Sequence, residues 1–330
     1  MKILITGGAG FIGSHLVDRL VAAKHEVRIL DNMDEQVHST ALWPTYANYK
    51  ADMRYGDVRD REFVHAVLEG VDVVYHLAAK VGVGQSMYQM AEYVDVNTRG
   101  TAVLLEALAK SSVKRLIVAS SMSIYGEQAI ADEWHIPQLP NVYAQTKYDQ
   151  ERLCLIFGKA YHIPTVALRF FNVYGPRQSL SNPYTGVMAI FASRLLNNHS
   201  PLIYEDGQQT RDFVHVDDVA HACELALTTE HTGTVFNVGT GKATTLYDLA
   251  KSLAAVMGKS IEPVITHQHR AGDIRHCVAS TLKAKKMLGF EARVTLAQGL
   301  IGYAQWVKSQ HAVDKVDEAH EELKQRGLAT

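Results

Sequence analysis

The chain has 330 residues, 47% of them hydrophobic and 21% charged, with 33 lysines and arginines against 35 aspartates and glutamates. That length buries a full core, as two modest domains or as one large α/β domain with an appendage. The balanced charge excludes the basic footprint of a nucleic-acid-binding protein, so groups that meet phosphate must be few and local.

Three distant cysteines, Cys154, Cys223 and Cys277, lack CxxC spacing. They argue against a disulfide framework or structural zinc and for a reducing compartment. The opening MKILITGGAGFIGSHL is too short in its apolar run and too glycine-rich for a signal peptide, and no stretch is long and apolar enough to cross a bilayer. A cytoplasmic, soluble protein is expected.

Short β-branched runs at Lys2–Ile5, Glu26–Leu30, Met53–Gly56, Val73–His76, Lys114–Val118 and Thr165–Arg169 read as strands. Amphipathic segments at Ile12–Ala23, Ala91–Lys110 and Tyr143–Tyr161 read as helices between them. This βαβ rhythm predicts a doubly wound parallel sheet of Rossmann type. After Arg169 the loops lengthen, and helices at Gly186–Asn197 and Thr245–Met257 suggest a smaller α/β substrate lobe. The expected division is 1–172 with 212–240 as the cofactor-binding domain, 173–211 with 241–310 as the lobe, and 311–330 as a packed C-terminal helix. In that tail Val313, Val316, Ala319 and Leu323 recur at helical spacing.

Thr6-Gly7-Gly8-Ala9-Gly10-Phe11-Ile12-Gly13 follows the first strand and opens the first helix. Glycines there permit a tight turn and a close approach of backbone to pyrophosphate, with the helix amides facing the phosphates. Glycines at a strand–helix turn often serve only the turn. Asp31, ending the second strand, adds an acceptor for adenosine ribose hydroxyls and repels a 2′-phosphate, which favours NAD over NADP. Gly56-Asp57-Val58 follows the third strand, where a carboxylate could meet the adenine amino group. Downstream, Leu116–Ala119 runs into Ser120-Ser121-Met122-Ser123, and Tyr143 and Lys147 stand four apart on one helix face. An ammonium beside a phenol lowers the phenol's pKa, so Tyr143 could take a proton from a sugar hydroxyl.

With TGGAGFIGS, Asp31, GDV at 56–58, HLAA at 76–79, Asn97, SSMSIYG, YAQTK, RFFNVYGPR and RDFVHVDDVA, residues 1–310 resemble the extended short-chain dehydrogenase/reductases, the NAD-dependent epimerase/dehydratase family. The resemblance implies a homodimer and NAD held by Gly7, Gly10, Phe11, Ile12, Gly13, Asp31, Asn32, Asp57, Val58, Leu77, Ala78, Ala79, Asn97, Tyr143 and Lys147. Asn97 would fix a helix bend or a water, and His76 is read as a core histidine. Ser121, Tyr143 and Lys147 become the implied catalytic trio, with Ser123 the competing serine. Substrate contacts are implied for Gln85, Ser86, Ser121, Ser123, Asn172, Arg211, Arg270 and Asp273; a guanidinium suits paired phosphate oxygens.

Within that resemblance, Met122 and Ser123 stand where 4,6-dehydratases carry Asp-Glu and where decarboxylases carry a Glu at the second position. Removing those carboxylates leaves oxidation at C4 and return of hydrogen to the opposite face, which is 4-epimerisation. VGVGQSMY at 81–88, ASSMSIYG and SNPYTGVMAIFASRLLN resemble the dTDP-L-rhamnose 4-epimerase group and UDP-glucose 4-epimerase-like relatives. The short segment Glu127–Val142 departs from a longer, cysteine-bearing one in many of that group, which leaves the sugar and its nucleotide open. Dehydratase, decarboxylase and net oxidoreductase remain alternatives, as does a non-catalytic NAD-binding regulator. The histidines at 267, 269 and 276 with Cys277 are not read as a metal site.

Overall fold

The computed structural model describes residues 1–38 and 40–330. The β-branched runs align, with ends shifted by up to three residues, as Lys2–Thr6 (β1), Glu26–Asp31 (β2), Asp52–Tyr55 (β3), Val73–His76 (β4) and Arg115–Ser121 (β5). Thr165–Phe170 and Thr234–Val238 complete a seven-stranded sheet in the order Thr234–Val238, Thr165–Phe170, β5, β4, β1, β2, β3. Every pairing in it is parallel. The order reverses between β1 and β4, so a crevice opens there at the strands' carboxyl ends.

Alternation along the strands splits the core in two. Ile3 and Ile5 of β1 and Ile117 of β5 join one apolar cluster, whereas Leu4, Leu116 and Val118 join the other. The helix Phe11–Ala22 (α1) buries Gly13, Leu16, Val17 and Leu20, three or four apart. A third cluster, including Tyr174, Phe191, Leu253 and Tyr303, lies among the helices Val187–Leu196, Leu246–Met257 and Leu296–Lys308.

Two elements differ from the sequence reading. The helix expected over 91–110 is interrupted: Met90–Tyr93 and Gly100–Leu108 flank a wide π turn at Val94–Arg99. Asn97 sits on this turn and bonds the Lys80 backbone through both ends of its amide, Lys80 N donating at 2.7 Å and Nδ2 donating to Lys80 O at 3.0 Å. An inserted residue of this kind re-aims a side chain at a local cost in helix geometry. The C-terminal helix spans Val316–Gln325, so Val313 lies outside it and is exposed. Among the described residues, no helix is long and apolar enough to cross a membrane.

Candidate active site

β1 ends at Thr6 and α1 begins at Phe11, so Gly7–Gly10 must turn the chain within four residues. Gly7 takes φ +71°, and a Cβ there would stand 2.9 Å from Ala78 N. On Gly13 a Cβ would stand 2.2 Å from the Gly7 carbonyl oxygen, so only glycine lets the helix cross the turn this closely. No side chain caps α1, and its first turn holds no acidic residue. Its leading amides thus remain donors for an anion, and the helix dipole favours one.

Gly7, Gly10, Phe11, Ile12 and Gly13 line a cavity of about 550 Å³. Asp31, Asn32, Asp57, Val58, Leu77, Ala78 and Ala79 share its lining. Asp31 is fixed by amides of the turns beside it, Ala9 N donating to Oδ2 and Met33 N to Oδ1, each at 3.0 Å. Its oxygens keep further lone pairs for diol hydroxyls. Burial pushes the Asp57 carboxyl up, but hydrogen bonds from Arg59 and Asn32 outweigh it and hold the group below the ordinary range.

Ser121 closes β5 and caps the 3-10 turn Met122–Tyr125, its Oγ accepting from Ser123 N at 3.2 Å and Ser123 Oγ at 2.9 Å. Tyr143 stands in the first turn of the Val142–Ala160 helix, capped by Asn141. Its own amide donates to Ser86 Oγ at 3.0 Å. Lys147 follows one turn later, and Ser121, Ser123, Tyr143 and Lys147 all face the cavity. Burial pushes the Tyr143 phenol above its usual value, opposed by a hydrogen bond with Ser121. Burial also lowers the Lys147 ammonium to about 8.

The expected depression of the phenol by Lys147 is not the state found. Lys147 Nζ donates to Gln150 Oε1 at 2.5 Å, because a residue three positions on presents a buried acceptor to the ammonium. Gln150 Nε2 in turn donates to Thr101 Oγ at 3.0 Å and lies 3.1 Å from His76 Nε2, which is itself 2.9 Å from Thr101 Oγ. His76 Nδ1 pairs with Thr6 Oγ, 2.8 Å away. Burial, then the Lys147 charge, push the His76 pKa down to about 3, so the ring is neutral. Gln150 was not singled out in the sequence; its position three after Lys147 on the same helix was the available signal.

Asn172, Arg211, Arg270 and Asp273 line the same cavity. Asn172 Oδ1 is buried without a partner, as suits a group awaiting a ligand. Arg211 donates to the backbone oxygens of Thr210 and Arg275, each at 2.9 Å, and of Ile274. Arg270 Nε is shared between the two carboxylate oxygens of Asp273, each at 3.0 Å. Three expected residues lie behind the lining. Gln85 is engaged by Gln36 and Tyr93, and Ser86 holds the Tyr143 amide while donating to Val83 O. Asn97, besides Lys80, donates to Thr146 Oγ at 3.0 Å, which ties the π turn to the Tyr143 helix.

Six carboxylates line the cavity, and all six are engaged. Asp31 and Asp34 accept from backbone amides, Asp57 from Arg59, Glu92 from Lys80, Glu205 from Arg275 and Asp273 from Arg270. The arrangement offers a phenol, an ammonium and a serine for proton transfer, beside a helix end and arginines suited to phosphates.

Residues 3–239 match the family model described as the NAD dependent epimerase/dehydratase family, and the chain belongs to that family. It is 34% identical to a dTDP-L-rhamnose 4-epimerase of Burkholderia thailandensis, over 94% of this chain and 95% of that protein. Its fold superposes on UDP-glucose 4-epimerase of Thermotoga maritima, solved with UDP-glucose, with TM-score 0.85 and 35% identity, covering 93% of this chain and 98% of that one. UDP-glucuronic acid 4-epimerase of Bacillus cereus, solved with UDP-glucuronic acid and NAD, gives TM-score 0.86 at 31% identity, covering 94% of this chain and 100% of that one.

Proposed function

We propose that this member of the family is an NAD-dependent 4-epimerase of a nucleotide-diphosphate sugar, a dTDP-6-deoxyhexose such as dTDP-L-rhamnose or a UDP-hexose. NAD, when bound, supplies reversible oxidation of the sugar at C4, passing through a 4-keto sugar. Ser121, Tyr143 and Lys147 are the catalytic residues in this reading. Tyr143, ionised before the transfer, takes the C4 hydroxyl proton and as the phenol returns it, Ser121 bonds the same oxygen, and Lys147 holds the nicotinamide ribose. The glycine turn and the uncapped end of α1 hold the pyrophosphate, and Asp31 the adenosine ribose. Asn172, Arg211 and Arg270 face the substrate diphosphate, with Asp273 towards its ribose. Residues 1–172 with 212–240 form the cofactor-binding unit, and 173–211 with 241–310 the substrate lobe.

One observation carries the choice of reaction: the two residues that follow Ser121 into the cavity wall, Met122 and Ser123, bring no carboxylate. Elimination of water or of carbon dioxide calls for an acid beside the trio, and Met122 and Ser123 stand there instead. Epimerisation needs only the one acid–base residue and room for the keto sugar to turn over. The test is incubation of purified enzyme with UDP- and dTDP-sugars, read by anomeric NMR signals. C4 inversion without loss of sugar atoms is expected; loss of the 6-hydroxyl or of a carboxylate, or inversion of no sugar, refutes the reading. Stoichiometric NADH release would favour net oxidoreduction.

We further take the protein to be a cytoplasmic homodimer formed through the helices near 88–110 and 143–161. Ile156 supports this, being 57% exposed on the second of them, while its neighbours Leu153 and Leu155 pack partly inward. Three buried, unpaired cysteines suit a reducing compartment.

A further inference from the structure

We infer that the C-terminal segment, residues 311–330, is a working part of the substrate site: it walls the cavity, clips the Arg270 loop in place, and thereby sets affinity for the nucleotide end of the substrate. The inference rests on the reading of this cavity as a nucleotide-sugar site.

Val316, Ala319, His320 and Leu323 fall on one face of the C-terminal helix and line the cavity. Ala319 and Leu323 are buried, yet they belong to none of the three core clusters. Leu323 packs on the cavity wall: it lies 3.3 Å from where a Cβ on Gly84 would stand, with Arg270 close by. Glu322 Oε2 accepts from the hydroxyls of Tyr88 at 3.0 Å and Tyr184 at 2.9 Å, joining two loops that flank the opening. His320 Nδ1 meets the hydroxyl of Tyr204 at 2.7 Å, and the Tyr204 ring lies under the Arg270 guanidinium.

The chain end brackets Arg270 by backbone pairing. His269 and Thr330 exchange N–H···O bonds of 3.2 and 3.0 Å, and Ala271 N donates to Leu328 O at 2.9 Å. At its start the segment is held by the buried Arg194–Asp314 ion pair and by Asn197 Nδ2 donating to Ala312 O. A loop pinned on both sides of its arginine presents that side chain in one place, which spares a ligand the entropy of ordering it. No hydrogen bond of the segment reaches the glycine turn or Asp31 among the described residues. Dependence on the segment should therefore be specific to the substrate end.

The experiment compares the intact NAD-loaded protein with a form ending at Ala312 and with full-length Leu323→Asp and Glu322→Ala. UDP and dTDP are titrated by calorimetry, and NAD content per chain is measured alongside. The intact protein should bind one of the two, and the shortened form should bind it at least tenfold more weakly with NAD content unchanged. Leu323→Asp should weaken binding several-fold, and it decides the matter if the shortened chain does not fold. Equal nucleotide affinity in intact and altered forms overturns the inference. So does loss of NAD in parallel with nucleotide, which would make the segment a general stabilising element. An intact protein that binds neither UDP nor dTDP sinks the reading of the site itself, and the inference with it.

Discussion

Lys147→Met in the cofactor-free protein tests the electrostatics of the site directly. The fold lowers the ammonium from 10.5 to about 8 by burial. At about 1.36 kcal/mol per unit, the charged lysine costs the fold roughly 3 kcal/mol relative to the unfolded chain. Below pH 8 the lysine is protonated in both states, so that penalty is fully present. As pH rises from about 8 towards 10.5, the unfolded chain keeps a proton the fold has released, and wild-type stability climbs. Above that range both states are neutral and the penalty is gone. Methionine has nearly the same length and no charge, but it leaves Gln150 Oε1 without its donor, at about 1–3 kcal/mol. At pH 7 the variant should therefore be as stable as wild type or up to about 2 kcal/mol more stable, although without turnover. Near the top of the range it should be the less stable, the difference between the two having moved by roughly 3 kcal/mol. Urea unfolding at fixed ionic strength from neutral to alkaline pH measures this. Stability curves that run parallel, or a variant already much weaker at pH 7, would refute the reasoning.

Three further outcomes are expected. Tyr143→Phe should lower kcat by about 10²- to 10⁴-fold, the usual weight of a positioned acid–base group, while nucleotide binding measured by calorimetry stays within a few-fold. Glu151→Gln should cost about 3–5 kcal/mol in urea unfolding, because it strips the buried Arg169 of a carboxylate that it meets at 2.6 and 2.8 Å. The double change Glu151→Leu with Arg169→Met should cost much less, and equal losses in the two would contradict a buried-charge origin. Gly13→Ala should abolish copurification of NAD, since its methyl would lie 2.2 Å from the Gly7 carbonyl oxygen; wild-type NAD content per chain would be the contrary result.

The sheet was legible because its strands carry their signal locally. β1 reads as a β-branched run closed by glycines, and β5 as one closed by serines. The lining residues from Gly7 to Lys147 were legible because each sits at a strand end or a helix start, where backbone geometry demands particular residue types. What escaped was set by partners distant in sequence. Ser86 reads as a sugar contact until the fold brings the Tyr143 amide against it from 57 residues away. Arg211 reads as a phosphate contact, but the Ile274 and Arg275 carbonyls that hold its guanidinium are not visible in the sequence. The tail's spacing predicts an amphipathic helix, found from Val316 to Gln325 without Val313, but periodicity says only that one face is covered, not that a cavity covers it.

Gln150 shows what those long-range partners achieve together. Thr6 pairs with His76 across β1 and β4, which places the threonine hydroxyl against the imidazole at the foot of the glycine turn. His76 then meets Gln150, and Gln150 holds Lys147, so the glycine turn and the helix that carries Tyr143 are joined through four side chains. A buried polar chain in which each member is satisfied tolerates little displacement, since any shift leaves a group unpaired at a cost of kcal/mol. The lysine is thus registered against the glycine turn by the sheet itself. The substrate side is built differently, from loops bridged by Tyr88, Tyr184 and the C-terminal helix. Changes there can alter which sugar is held without disturbing the geometry that performs the oxidation. That separation lets the substrate side vary while the sheet keeps Lys147 in one place.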